Sequence, residues 1–563
     1  MNGRSLPFAV GALALVPVIG LLLIAVWMSF WEGGPGEPVT YTLKHYQKLF
    51  SDPFTYGSIF NTVGFALTTV LVSLAFAVPI AWLVERTDLP GKEIVFTLMT
   101  VSTLVPTFFT AMGWVFMLHP RIGVLNKLLY DWIGWGPLNI ASIGGMGWVE
   151  GLGLSSLAFI MVVAAYRAMD PSLEEVARVH GLGLLRTLRH VTIPLTFPSI
   201  VAAAIYIFTI GLAAFEVPAI IGLSNKIFTF ATFVFYQMQP LEDLPNYGLA
   251  GAVSTLMVAI ALLLSWGYFR VLGDSRRYAV VTGRGYRPKL VELGRRWIAA
   301  WIFLGFFFLL AKVLPLTLLV WASLLSYFQP PSWEALHRIS LTNFYGLPWA
   351  LLARGAQNTL ILMLVVPTLA VVICLGISWV VVRSGKRWRF VFDAVAFLPH
   401  AVPNIILAIA AVFAALFLLK DVVPLYGSLT ILIAVYTLSR ISFATRIISN
   451  SLAQIHPELE EAAYAGGLSL LRVFHKILIP LLKPSLLYAW LWMALLSYRE
   501  LTLASVLVTG QNNVTLPMIV WGIWLGGSLN QAAAANLVTL AFILPVVVLY
   551  WTLGRERHSE AQL

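Results

Sequence analysis

Six ionisable side chains stand inside apolar runs that are otherwise almost free of charge: Glu216, Lys312, His400, Arg440, Arg499 and Glu500. A charge in hydrocarbon is costly, so such residues face an interior, pair with one another, or line the path of a polar solute. A carboxylate suits a cation and an arginine an anion; with both present, local charge does not choose between them. Glu216 lies 22 residues after Pro194 and Glu500 lies 20 after Pro480, which predicts similar depths in equivalent helices. Arg499 and Glu500 are neighbours, about 100° apart on a helix. One can face a path while the other pairs elsewhere, and Glu216 opposite Arg499 is a natural pairing. Glu216, His400, Arg499 and Glu500 are therefore the candidate pathway residues. Internal pairing between helices is the competing role, and Lys312 can also snorkel.

A second constellation is polar and occurs twice. Residues 171–199 and 457–485 are identical at 15 of 29 positions, at an offset of 286. Shared positions include Glu174/Glu460, Glu175/Glu461, Ala177/Ala463, Gly181/Gly467, Arg186/Arg472, Pro194/Pro480 and Pro198/Pro484; Ala462 adds a small residue to the second copy. Pro171 and Pro457 suit a first helical position. The glutamates of the first turn complement the helix dipole. Gly181 and Gly467 can take a positive φ and end the helix. The pattern predicts a short helix, a bend and another short helix near the membrane surface, with small residues that permit close approach by a partner. Two such copies imply two equivalent partners.

The elements that position these residues are membrane helices. Hydrophobic residues make up 59% of the 563 residues and charged ones 11%, against about a quarter charged in soluble domains. Twelve apolar runs are long enough to span a bilayer, which needs about 20 residues each. They lie near 7–31, 57–84, 94–118, 145–168, 197–222, 249–271, 298–325, 356–382, 390–419, 427–449, 485–509 and 529–553. The first run is long and lacks a clear cleavage site, so it reads as a helix and not a signal peptide. Cys374 is the single cysteine, so neither a disulfide framework nor a thiolate metal site can be built.

The repeat extends beyond the polar segment. Asn61-Thr62 matches Asn358-Thr359, Trp82 matches Trp379, and Val105-Pro106 matches Val402-Pro403, all at an offset of 297. The first half therefore carries 11 extra residues, assigned to the loop 119–144. Pro106 and Pro403 are expected to kink equivalent helices. The fold expected is all-α and polytopic: about twelve spans in two parallel six-helix repeats, over 1–272 and 298–563, joined by a basic linker at 273–297. A solute path is expected at their junction.

The net charge of +11 follows topology and not nucleic acid. Loops on one side carry 19 Lys and Arg, against 7 on the other. The positive-inside rule places both termini and both repeated segments in the cytoplasm. The linker's Arg276, Arg277, Arg284, Arg287 and Lys289 act as an anchor, or as a site for anionic lipid.

Glu461-Ala462-Ala463 followed by Gly467, Ile477 and Pro480 resembles the "EAA" loop of permeases in binding-protein-dependent ABC importers. The first copy is similar, with Val176 in place of the first alanine. The resemblance implies that each loop forms a coupling helix seated on an ATPase subunit. It also implies a periplasmic or extracellular solute-binding protein, a bacterial inner membrane, and import as the direction. The fused arrangement and Arg499-Glu500-Leu501 resemble ferric-iron-type permeases. Permeases for thiamine, aminophosphonates and polyamines are alternatives.

No phosphate-binding loop is present: Gly91-Lys92 and Gly385-Lys386 lack the upstream glycine and the following hydroxyl. The chain is thus expected to be no enzyme and to bind no cofactor, with ATP and Mg held by two partner subunits. A secondary transporter would share the parallel halves but needs no duplicated surface loop. A membrane enzyme would need clustered acid, histidine or metal-ligand spacing, which is not evident.

Overall fold

A computed structural model describes residues 5–32, 40–103, 105–170, 172–239, 245–274 and 290–560. Pro171, both chain ends and the basic residues Arg276 to Lys289 lie outside the described residues. Among the described residues the protein is helical apart from one two-stranded pair, Trp31–Glu32 with Thr40–Tyr41. Among the described residues, nine helices are long and apolar enough to cross a membrane. Three bent helix pairs raise the count to twelve if each is one span.

Two of the bent pairs are equivalent. Lys92–Ser102 and Thr107–Leu118 meet at 95°, and Lys386–His400 and Asn404–Leu418 meet at 94°. The breaks fall at Pro106 and Pro403, each of which caps the helix that follows. Proline has no N–H to give and forces its predecessor out of helix.

Two expected runs end early. The run at 197–222 stops as a helix at Ala213, and that at 485–509 stops at Tyr498. Each is followed by a pair of short helices: Pro218–Asn225 with Phe230–Gln237, and Thr502–Leu507 with Leu516–Leu525. Unbroken hydropathy hid these breaks. Arg499 and Glu500 therefore stand in a helix interruption, where the 100° separation does not apply to them, and Glu216 opens the turn that follows the matching interruption.

The repeated Asn-Thr pair stabilises the break between the two short helices of each pair. Asn61 donates to the carbonyl of Phe228, and the N–H of Phe230 donates to the Thr62 hydroxyl. In the second half Asn358 donates to the carbonyls of Asn512 and Val514, and the N–H of Leu516 donates to Thr359. Backbone freed from helix inside a membrane protein must be satisfied by neighbours, and one dipeptide does this in both halves.

Proline also explains three widened turns. The π-turns Leu188–Thr192, Leu309–Val313 and Phe474–Leu478 each end two residues before a proline: Pro194, Pro315 and Pro480. A proline ring clashes with the carbonyl four residues earlier, and an extra residue in the turn relieves it. The 11-residue excess of the first half holds an added helix, Val124–Ile133.

The first helix of each half packs on the other half. Ser5–Met28 lies against Trp349–Arg383 and Asn404–Phe413, and Val18 shares a buried cluster with Cys374 and Ile377. Reciprocally, Gly294–Ser323 lies against Thr107–Leu118. Its start is docked by Val291, which donates to the Arg86 carbonyl, and by Trp301, which donates to that of Pro90. The spatial halves are thus interleaved where the sequence halves are consecutive.

Gly113 permits this crossing. A Cβ there would lie 2.3 Å from the Pro315 carbonyl oxygen and 2.7 Å from its carbonyl carbon. Backbone cannot yield as a side chain would. Gly113→Leu is expected to cost about 1–3 kcal/mol or more through overpacking, read as a lower unfolding temperature in detergent. Gly305→Leu, where nothing lies within 4 Å, should leave it unchanged.

Candidate functional site

Two regions carry functional chemistry: the repeated loops and a cavity between the halves. The loops are held by the two longest helices, Pro53–Arg86 and Trp349–Arg383, of 34 and 35 residues. At 1.5 Å per residue they run about 50 Å, well beyond a hydrocarbon core of about 30 Å. Each is therefore longer than the apolar layer is thick, and each ends in an arginine, favourable at a helix C-terminus.

Arg383 Nε lies 2.7 Å from Glu460 Oε1, and Arg86 Nε lies 3.8 Å from Glu174 Oε2. The two arginines are equivalent at offset 297 and the two glutamates at 286. The arginines also donate to equivalent carbonyls, Met169 for Arg86 and Ile455 for Arg383. The second glutamate oxygen is held differently in each copy. Trp379 Nε1 donates to Glu460 at 3.0 Å, whereas the Thr192 hydroxyl donates to Glu174 at 2.6 Å. All four charged groups are nearly inaccessible, with side chains 6–12% exposed.

The short helices themselves are Ser172–Val179 and Glu458–Ala465. Gly181 and Gly467 have φ of +79° and +80°. The N–H after each glycine reaches back to Ala177 and Ala463, both at 3.0 Å, the C-terminal closure that glycine favours. Glu174, Glu460, Ala177 and Ala463 are buried against their own half. The sequence had suggested that the small residues face a partner, but these two alanines serve internal packing. Glu461 and Ala462 are exposed and Glu175 is half-buried. Leu173, Val176 and Val179 in one loop, and Leu459 and Leu471 in the other, are exposed apolar neighbours.

A cavity of about 330 Å³ lies where the bent pairs of the two halves meet. Glu216, His400, Arg499 and Glu500 all line it, as does Arg440, whereas Lys312 does not. Glu500 is ion-paired with Arg440 and also accepts the N–H of Leu503. Arg499 turns the other way and donates to the Thr103 carbonyl across the junction at 2.8 Å. Both line the cavity, so the neighbours do not divide into one that faces it and one that pairs elsewhere.

Glu216 accepts the Thr107 hydroxyl at 2.6 Å. Among the described residues it has no ion pair within 4.0 Å, so the direct Glu216–Arg499 contact is not made, although each lies in the other's field. The His400 ring stacks on Tyr206 of the other half, with centroids 4.8 Å apart. Sequence reasoning missed Glu150, which also lines the cavity. It is the one acid inside the apolar helix Ile143–Ala168, and that isolation was the available signal. Among the described residues, no three His, Cys, Asp or Glu side chains converge as a metal site.

Interleaved parallel bundles, bent helices lining a central cavity and a pair of similarly braced surface loops define a fused two-half membrane permease. The chain belongs to the family of binding-protein-dependent transport system inner membrane components, which matches it twice, over residues 77–273 and 372–555. It is therefore the multi-pass inner-membrane permease of an ABC importer, the transport subunit and not an enzyme in itself.

Among its relatives is the ferric transport system permease protein FbpB of Actinobacillus pleuropneumoniae, 22% identical over 99% of this chain and 80% of that protein. The Fe(3+)-transport system permease protein FbpB 2 of Haemophilus influenzae is 23% identical over 82% of this chain and 83% of that protein. The molybdate/tungstate permease WtpB of Thermococcus kodakarensis is 28% identical, over 39% of this chain and 81% of its own length.

Removing either arginine leaves a buried carboxylate unpaired, which costs about 3–5 kcal/mol where the pair is fully desolvated. Arg383→Gln and Arg86→Gln should each speed amide exchange in the attached loop, 456–473 or 172–187, while leaving the other loop unchanged. Hydrogen–deuterium exchange of the purified permease measures this.

Proposed function

We propose that this chain forms the translocation pathway of an ATP-driven ferric-iron importer, working with two ATPase subunits and a periplasmic or extracellular solute-binding protein. The observation that carries the coupling part is the pair of similarly braced loops. Each presents a glutamate and apolar side chains outward while an Arg–Glu pair ties it to a helix that crosses the membrane. Glu175, Glu461 and Ala462 meet the ATPases directly; Glu174, Glu460, Ala177 and Ala463 hold the loops rigid, and Gly181 and Gly467 shape their ends. ATP and Mg reside on the partner subunits.

In this reading both termini and both loops face the cytoplasm, residues 1–272 and 298–563 are the two halves, and 273–297 is their linker. ATP draws the partner subunits together and the loops follow. Because the loops are braced to the long helices, the halves tilt as bodies and the cavity changes its access. Solute passes Glu216, His400, Arg499 and Glu500. Ferric iron is favoured over thiamine, aminophosphonate, polyamine or oxyanion cargo because relatives named for ferric transport match along most of the chain. A secondary transporter is disfavoured by the family and by the duplicated loops.

Co-expression with an ATPase subunit of a ferric-iron ABC importer from the same organism should yield a complex with two ATPase subunits per chain, and proteoliposomes of it should accumulate radiolabelled ferric iron from a loaded binding protein. Valine at a positive φ costs about 1–2 kcal/mol, an equilibrium shift of about tenfold. Gly181→Val and Gly467→Val should each lower uptake by about that factor while ATP hydrolysis continues. Normal uptake in both variants, or a complex without ATPase subunits, would count against the coupling role.

A further inference from the structure

Glu150 and Lys312 are buried opposite charges contributed by different sequence halves. Glu150 is 5% exposed and Lys312 8%. Among the described residues, Glu150 Oε2 and Lys312 Nζ both lack a hydrogen-bond partner, and no ion pair joins them within 4.0 Å. Each nevertheless stands in the other's field, as both do in that of Arg499. Lys312 is carried by the π-turn of the crossing helix Gly294–Ser323, which touches the helix bearing Glu150. Glu150 lines the cavity and Lys312 does not.

A buried carboxylate with an unsatisfied oxygen is expensive unless it has a purpose. Glu216 lines the same cavity, and like charges facing one enclosed space repel, so a cation between the two carboxylates would relieve both. We propose that Glu150 and Glu216 form a transit subsite for a hard cation in the cavity, with Arg499 and Lys312 as the internal cations that balance the carboxylates when the subsite is empty. The inference deepens the ferric-iron reading and rests on it for the cargo's identity. Among the described residues no third carboxylate, histidine or cysteine converges with them; such a site is weak, which passage requires, since a carried ion must also leave. A cation in the cavity displaces Lys312 electrostatically. Because Lys312 sits on the crossing helix, occupancy is then communicated to the junction of the halves.

The full-length chain in phosphatidylcholine nanodiscs can be titrated with terbium(III), a hard trivalent cation whose emission is sensitised by the cavity aromatics Trp492 and Tyr206. Glu150→Gln should weaken binding about tenfold or more, as loss of a charged contact does. Lys312→Met should tighten binding, because it removes the competitor. A merely structural pair predicts the reverse pattern: unchanged terbium affinity in Glu150→Gln and none gained in Lys312→Met. The neutral double variant Glu150→Gln/Lys312→Met guards against misfolding. It should keep the wild-type unfolding temperature and still bind terbium weakly, and wild-type affinity in it overturns the proposal. Failure of wild-type proteoliposomes to accumulate ferric iron would sink the cargo assignment alone, because the terbium result stands independently of it.

Discussion

The low dielectric of the bilayer is the constraint from which this architecture follows. A charge placed there must be paired, must face a polar cavity, or must be moved to the edge of the apolar layer. The protein uses all three solutions. Arg440 and Glu500 pair within one half. Glu216, Arg499 and Glu150 face the cavity. Arg86 and Arg383 end helices long enough to overshoot the hydrocarbon, where they hold Glu174 and Glu460. The same constraint governs the broken helices, whose freed backbone groups are met by Asn61, Thr62, Asn358 and Thr359.

Bracing and interleaving together favour motion as bodies. A loop tied by a buried ion pair to a membrane helix transmits force better than one attached only by its own chain, because breaking such a pair is costly. The exchanged first helices make each spatial half a composite of both sequence halves. Under the proposed function, tilting of the halves would slide Ser5–Met28 and Gly294–Ser323 against neighbours, as at the close contact of Pro315 with Gly113. The cavity lies at this junction, lined in part by the two helix pairs bent at Pro106 and Pro403.

Much of this was legible from residues alone. Apolar runs located most of the membrane helices, and the matched Asn-Thr, Trp and Val-Pro positions foretold two parallel halves. The prolines foretold the bends, and Gly181 and Gly467 their positive φ. The helix interruptions around Glu216 and Arg499-Glu500 were not legible, because apolar sequence continues across them and hydropathy does not register a change of backbone direction. The inward turn of Ala177 and Ala463 was likewise hidden, since a short helix of mixed character does not declare which face its neighbour covers.

Composition, periodicity and duplication by themselves determined that the chain is a twofold-repeated membrane protein with paired polar loops. Those properties follow from the transfer energy of side chains and from local backbone sterics, both of which are fixed residue by residue. Only the tertiary structure decided which charges share a cavity, which glutamate of each Glu-Glu pair is clamped, and that the first helix of each half crosses to the other. These depend on contacts between residues tens to hundreds of positions apart, such as Arg383 with Glu460 and Arg499 with Thr103. No local pattern encodes such partners; they are set by the packing of whole helices.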